Sequence, residues 1–449
     1  MKKILAAVLA LVLSLALFGT AGADAEKRKV ETAADADEFV AALLGAHPEE
    51  MDGTWAFSAQ MEAAIGSMGG MAGLAKQLTA MGTPDAVLPA YEGEVRGMKA
   101  YFVPCAFSVM KADIILVVQD GAVAGLSAGP YTGDRAETET ESSLYDAVEL
   151  PLPVPSLGEL PGVLTLPKGE GPFPVIVLLH GSGSSDKDEA IGGVKPFRDL
   201  AEGLAAQGIA VYRFDKRNYV YGTELSTDKQ FTPADEYLED AVNAVQLLAR
   251  QDRIDPDRIF VLGHSLGGNM IPAAARELEN APVKACGFIM MAASPRPMDV
   301  LMREQYEFLF SLYPEVTEEQ QAEKDALFSE LDTLKDVDAL DGDVKVAGAY
   351  SAYWKWLAKY DILREADEIT RPVLLLQGEE DYQVTMVDFG IWKEALGEKG
   401  NWRMISYPGL THPFTPGKKE EGSEIYLRSA SVDEQVIRDI AAFVLEAGN

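Results

Sequence analysis

A chain of 449 residues with a net charge of −32 is too long for one core and too acidic to favour nucleic-acid or polyphosphate partners. Two cysteines and four histidines do not make a disulfide scaffold. With no His-x-x-x-His or Cys-x-x-Cys spacing, they offer no metal site either, and nothing in the chain calls for a cofactor. The same acidity argues against highly anionic substrates such as coenzyme A esters, and it keeps an exported chain in solution.

Met1-Lys2-Lys3 followed by the apolar run Ile4 to Phe18 has the form of a secretion signal, with cleavage expected after Ala21-Gly22-Ala23 or at Ala23-Asp24-Ala25. The run is shorter than the roughly 20 residues a bilayer span needs, and no other segment is apolar enough to cross a membrane. Losing residues 1–23 removes Lys2 and Lys3 and takes the charge from −32 to −34.

A small α+β domain is expected over residues 24–129. Phe39, Val40, Leu43 and Leu44 mark a helix, and a methionine-rich stretch from Met61 to Met81 supplies packing. Strands follow at Gly97 to Pro104, Ala106 to Val118 and Ala122 to Leu126, with a turn at Gln119-Asp120-Gly121. Residues 130–157 read as a linker, acidic at Asp134 to Ser143 and stiffened by Pro151, Pro153 and Pro155.

From residue 158 to 449 the pattern alternates strand and helix, which implies a mostly parallel sheet with helices on both faces. Strands are predicted at Gly162 to Leu166, Pro174 to Leu179, Ile209 to Phe214, Arg258 to Leu262, Ala285 to Met291, Pro372 to Gln377 and Trp402 to Tyr407. Cys105 and Cys286 lie in separate apolar runs and are expected to be free thiols.

The second of these strands runs into His180-Gly181-Ser182-Gly183. A His-Gly loop in that place can supply a backbone N–H to a developing oxyanion, here that of Ser182. The His180 side chain is then a pin for the loop. The strand at Arg258 runs into Gly263-His264-Ser265-Leu266-Gly267, a G-x-S-x-G turn before a helix. That turn exposes Ser265 as a nucleophile beside the Leu266 amide. Residues 297 to 359 break the alternation: they are charged, helical and aromatic-rich, and fall where a lid would cover an acyl pocket.

After the strand at Pro372 comes Gly378-Glu379-Glu380-Asp381. Asp381 is favoured as the orienting acid over its rivals Glu379 and Glu380, because Val384 can anchor its fold back under the next loop. His412, in the loop after Tyr407, is the general base left once His180 and His264 are placed. The order Ser265, Asp381, His412 matches the acyl-transfer order on an α/β-hydrolase sheet.

Taken together, His180-Gly181-Ser182-Gly183, Asp186-Lys187-Asp188-Glu189, Lys195-Pro196-Phe197-Arg198-Asp199-Leu200-Ala201 and Arg213-Phe214-Asp215-Lys216-Arg217 resemble secreted bacterial α/β-hydrolase carboxylesterases of the EstD type. This resemblance implies a serine esterase for short acyl esters, with a cystatin-like N-terminal domain of unknown function. The family pattern has proline where this chain has Ser184, a change that leaves the proposed amide donors intact. Two alternatives remain: a serine peptidase of the prolyl-oligopeptidase kind, and a glycan- or cell-wall-binding protein on a hydrolase scaffold.

Overall fold

The structure is a computed structural model, and it describes residues 27–78, 84–95, 98–107, 111–129 and 144–447. The expected signal segment and the Asp134–Ser143 stretch lie outside the described residues.

Helix α1 (Ala33–Leu43) opens the small unit at a capping box: the Thr32 hydroxyl accepts from the Asp35 amide, and the Asp35 carboxylate accepts from the Thr32 amide. Helices α2 (Ala59–Ser67) and α3 (Gly70–Leu78) follow. Five antiparallel strands come next: β1 (Pro84–Val87), β2 (Tyr91–Val95), β3 (Met98–Phe107), β4 (Lys111–Gln119) and β5 (Ala122–Gly129). Asp120 and Gly121 take φ of 51° and 80°, the left-handed pair a two-residue hairpin turn requires. Ala106 and Phe107, expected to start β4, instead finish β3, so that β4 begins at Lys111. Phe39, Leu43, Met61 and Met71 are buried with Ile114 and Leu116 in one core.

The large unit begins earlier than Gly158. Strand β6 (Tyr145–Glu149) pairs antiparallel with β9 (Gly162–Pro167), and Arg253 reaches Asp146 at 3.1 Å. The predicted linker is therefore shorter than residues 130–157. Its exposed, acidic alternation hid the strand, because an edge strand buries little and carries charge against unwanted pairing. Between these two strands lies the hairpin β7 (Leu152–Val154) and β8 (Gly158–Leu160).

Then come β10 (Phe173–Leu179), α4 (Pro196–Ala205), β11 (Ala210–Phe214), the single turns α5 (Arg217–Val220) and α6 (Gly222–Leu225), and α7 (Pro233–Leu248). Strand β12 (Ile254–His264) leads through α8 (Leu266–Glu279) to β13 (Gly287–Met291). The insertion holds α9 (Met298–Ser311), α10 (Glu318–Asp332), the hairpin β14 (Lys345–Val346) and β15 (Ala349–Tyr350), and α11 (Ser351–Lys359). The chain closes with α12 (Ile362–Asp367), β16 (Val373–Gly378), α13 (Met386–Leu396), β17 (Trp402–Tyr407) and α14 (Glu434–Ala447).

The eight strands run in the order β17-β16-β13-β12-β10-β11-β9-β6. All are parallel from β17 to β11, and β9 is antiparallel to both of its neighbours. β10, β13, β16 and the Ile259–Leu262 half of β12 are apolar almost throughout because both faces are covered. On one face Tyr237, Ala241 and Val245 of α7 pack with Met270 and Ala274 of α8. On the other, Phe197 and Leu200 of α4 pack with Val436 and Ile440 of α14. Strand order reverses at β10, and in such sheets ligands bind beyond the carboxyl ends of the strands at that point.

Candidate active site

Four loops carry the predicted residues, and each leaves a strand at its carboxyl end: β10, β12, β16 and β17. At the end of β12, Ser265 has φ 53° and ψ −121°, a left-handed conformation that costs a residue with a side chain about 1–3 kcal/mol. Its amide donates to the Met291 carbonyl at 2.8 Å, which fixes the turn against β13. The flanking glycines are there for close approach: a Cβ at Gly267 would sit on the His180 and Leu179 carbonyl oxygens, and one at Gly268 would lie 2.9 Å from the Ala293 Cβ.

The loop after β10 lies against Ser265, since a Cβ at Gly181 would meet that of Ser265 at 3.2 Å. His180 is buried between Phe197 and Phe214, and its Nε2 donates to the Asp186 carbonyl at 2.9 Å. Burial pushes its pKa down to about 4, so the ring is neutral and serves as a pin. Among the described residues, neither the Ser182 nor the Leu266 amide donates to a protein acceptor. That leaves both N–H groups free for a substrate oxygen.

Asp381 and His412 meet. His412 Nδ1 donates to Asp381 Oδ2 at 2.6 Å, and both residues are buried. The other carboxylate oxygen accepts from the Gln383 amide at 2.7 Å and the Val384 amide at 3.0 Å. Gln377 Nε2 adds a contact to Oδ2 at 3.2 Å. The carboxylate is thus held by the turn it belongs to. Glu379 accepts from the Ser406 hydroxyl, and Glu380 accepts from the Lys419 amide; both contacts are on the surface. Ser265 Oγ makes no hydrogen bond to His412, and such contacts are commonly long before substrate binds.

Behind these groups lie two charged clusters that motif reading did not single out. His264 Nδ1 is 2.9 Å from the Glu189 carboxylate, and its Nε2 donates to the His412 carbonyl at 3.1 Å. Burial opposes charge on this ring, yet Glu189 and the His412 carbonyl outweigh it and raise the His264 pKa. Burial likewise works against the Glu189 charge, but His264, His180 and the Gly181 amide lower its pKa overall. Glu189 Oε1 accepts that amide at 2.6 Å. The second cluster centres on buried Lys216, which contacts the Gly181 carbonyl, the Tyr237 hydroxyl and Glu236. Lys216 lies two residues past β11 and Glu189 ten past β10, towards the sheet end where chemistry gathers, but nothing in their spacing marks them as members of a cluster.

A cavity of about 350 Å³ opens beside Leu266, lined also by Met270, Arg296, Met298, Trp354 and Leu357. Trp354 and Leu357 belong to α11, so residues of the insertion line the space next to the elbow. Its aromatics do not form a single cluster. Tyr306, Phe310 and Tyr313 pack in series, Phe308 stacks on Tyr382 at 5.4 Å, and Trp356 lies against Tyr360.

A doubly covered, mainly parallel sheet with its elbow at β12 and its other loops at the same edge is the α/β-hydrolase architecture. A family model described as serine aminopeptidase, S33 (Hydrolase_4) matches residues 172–415, a span that includes all four site loops. The chain belongs to this family of α/β-hydrolases. Esterase EstD of Thermotoga maritima is 34% identical over 336 residues, which is 74% of this chain and 76% of that protein. Among solved structures, Est1E from Butyrivibrio proteoclasticus is similar at 16% identity and a TM-score of 0.42, covering 67% of this chain and 98% of its own. A hyperthermophilic esterase from the archaeon Pyrobaculum calidifontis is similar at 16% identity and 0.44, covering 68% and 86%.

Proposed function

We propose that this hydrolase is a secreted serine esterase that cleaves short-chain carboxylic esters through an acyl-enzyme on Ser265. His412 takes the Ser265 proton as Oγ attacks the ester carbonyl, and Asp381 holds the imidazole in the tautomer that can accept it. The Ser182 and Leu266 amides receive the oxyanion. His412 then protonates the leaving alcohol, and the same residues activate water to release the acid. The observation that carries this reading is the 2.6 Å Asp381–His412 contact at the same sheet edge as the strained Ser265 elbow.

Ester specificity is supported by the EstD relative, and short acyl chains by the modest, largely apolar cavity beside Leu266. Export is supported by the basic and apolar residues from Met1 to Ala23. The family description, serine aminopeptidase, favours a second reading in which the scissile bond is an aminoacyl amide.

The test compares p-nitrophenyl acyl esters with aminoacyl and aminoacyl-prolyl amides, using the wild-type chain and Ser265→Ala. We expect turnover of the short esters alone, a loss of about four orders of magnitude in the variant, and fluorophosphonate labelling at Ser265 only. Faster turnover of the amides would reverse the choice of substrate. Undiminished turnover by Ser265→Ala would remove the nucleophile.

A further inference from the structure

The Gly181–Ser182 peptide is gripped from one side. Lys216 Nζ donates to the Gly181 carbonyl at 2.6 Å and to the Gly183 carbonyl at 3.1 Å, and the Tyr237 hydroxyl reaches the Gly181 carbonyl at 2.9 Å. Lys216 is buried, and its charge is met by Glu236 Oε1 at 2.6 Å. The other Glu236 oxygen accepts from the Tyr353 hydroxyl at 2.7 Å, and Tyr353 belongs to α11 of the insertion. No other route from the insertion to the loop needs to be invoked.

This peptide is trans, because the only cis bond among the described residues is Gly171–Pro172. In a planar trans peptide the C=O of one residue and the N–H of the next point in opposite directions. Whatever fixes the Gly181 carbonyl therefore aims the Ser182 N–H, one of the two amides free beside Ser265. A cation on the carbonyl also polarises the peptide and strengthens its amide as a donor. Taking a lysine out of water is costly even when a carboxylate such as Glu236 is buried with it, which points to a task at this place that a neutral side chain would not perform.

We propose that Lys216 is a positioning residue for oxyanion stabilisation. Backed by Tyr237 and Glu236, it aims and polarises the Ser182 amide, and the Tyr353–Glu236 contact makes the seated insertion part of that arrangement. This rests on the oxyanion reading given above.

The test uses the full chain with Lys216→Met, Tyr237→Phe and Tyr353→Phe, each checked for folding by circular dichroism. The first readouts are kcat and KM for p-nitrophenyl butyrate. The second is the affinity for a trifluoromethyl ketone, whose adduct on the serine carries an oxyanion. Removing one oxyanion donor typically costs about 10²–10³ in kcat. We expect Lys216→Met to lose about 100-fold in kcat with KM within roughly twofold, and to lose affinity for the ketone in parallel. Tyr237→Phe and Tyr353→Phe should lose smaller amounts in the same two readouts.

If Lys216→Met does not fold, the two tyrosine variants decide the matter: unchanged kcat and ketone affinity in both would overturn the proposal. A loss in KM alone would also overturn it, since a merely structural residue would act that way. Ser265→Ala run alongside separates the two levels. A silent Ser265→Ala with unaffected Lys216, Tyr237 and Tyr353 variants defeats this inference and spares the esterase reading, whereas an active Ser265→Ala defeats both.

Discussion

Asp381, Glu379 and Glu380 are adjacent in sequence, yet only the first carboxylate reaches His412 Nδ1. Asp381→Asn keeps the size of the side chain but offers an amide where His412 needs an acceptor. In the Ser-His-Asp template that change lowers kcat about 10⁴-fold, and a comparable loss is expected here. Glu379→Gln and Glu380→Gln lie at the surface and should change kcat by less than about twofold. Steady-state kinetics on one ester for the three variants checks the assignment, and equal losses in all three would refute it. The Glu189–His264 pair makes a second claim, about pH. His264 has a raised pKa, so its contribution to stability is complete below the ordinary value of 6.5 and fades as pH rises through the folded value. Glu189 has a lowered pKa, so its contribution is complete above 4.5 and fades as pH falls through the folded value. The Tm difference between the wild-type chain and Glu189→Gln should therefore be largest between pH 4.5 and 6.5 and shrink on either side. A difference that is flat across pH 4 to 9 would show that the pair is not ionised in the folded protein.

Helix α8 carries the elbow at its start and Pro272 in its interior. Proline has no amide to donate and its ring crowds the preceding turn, so the backbone ladder opens there. The Tyr360 hydroxyl fills the gap: it accepts from the Ala273 amide at 3.2 Å and donates to the Asn269 carbonyl at 2.9 Å. Asn269 in turn accepts the Ser294 amide at 2.7 Å through its side chain, which ties the elbow helix to the chain after β13. Tyr360→Phe should lower stability by about 1–3 kcal/mol through those two part-buried backbone groups. Because Ser265 and Leu266 precede the break, kcat should change much less than Tm. Chemical denaturation alongside kinetics tests this, and a variant as stable as the wild-type chain would show that α8 recloses its own ladder.

At the scale of the molecule, every proposed catalytic group lies in the large unit, whose first strand is β6 rather than the one at Gly162. A chain beginning at Leu144 keeps β6 and the Arg253–Asp146 contact, and we expect it to fold and to turn over p-nitrophenyl butyrate. A chain beginning at Leu150 loses both, exposes the edge of β9, and should unfold at lower temperature. Circular dichroism melts and kcat for the two chains check this, and a folded but inactive Leu144 chain would mean that the small unit completes the site. Much of this was legible in the sequence by itself. The buried parallel strands are continuous apolar runs, the G-x-S-x-G elbow demands glycines for backbone clearance, and four histidines leave one base downstream of Ser265. These are local signals, set by period, by sterics or by scarcity. Only the tertiary structure decided the rest. The Val384 anchor favours Asp381 over its two neighbouring glutamates, but only the fold shows that the turn at Gln383 and Val384 brings this carboxylate to His412. An acidic edge strand reads as a linker, since half of it faces water and its partners lie 14 to 22 positions along the chain. Lys216 and Glu189 look like ordinary surface charges until β10 and β11 bring them beneath the Gly181 peptide, because ion pairs between distant segments leave no periodic trace in the chain.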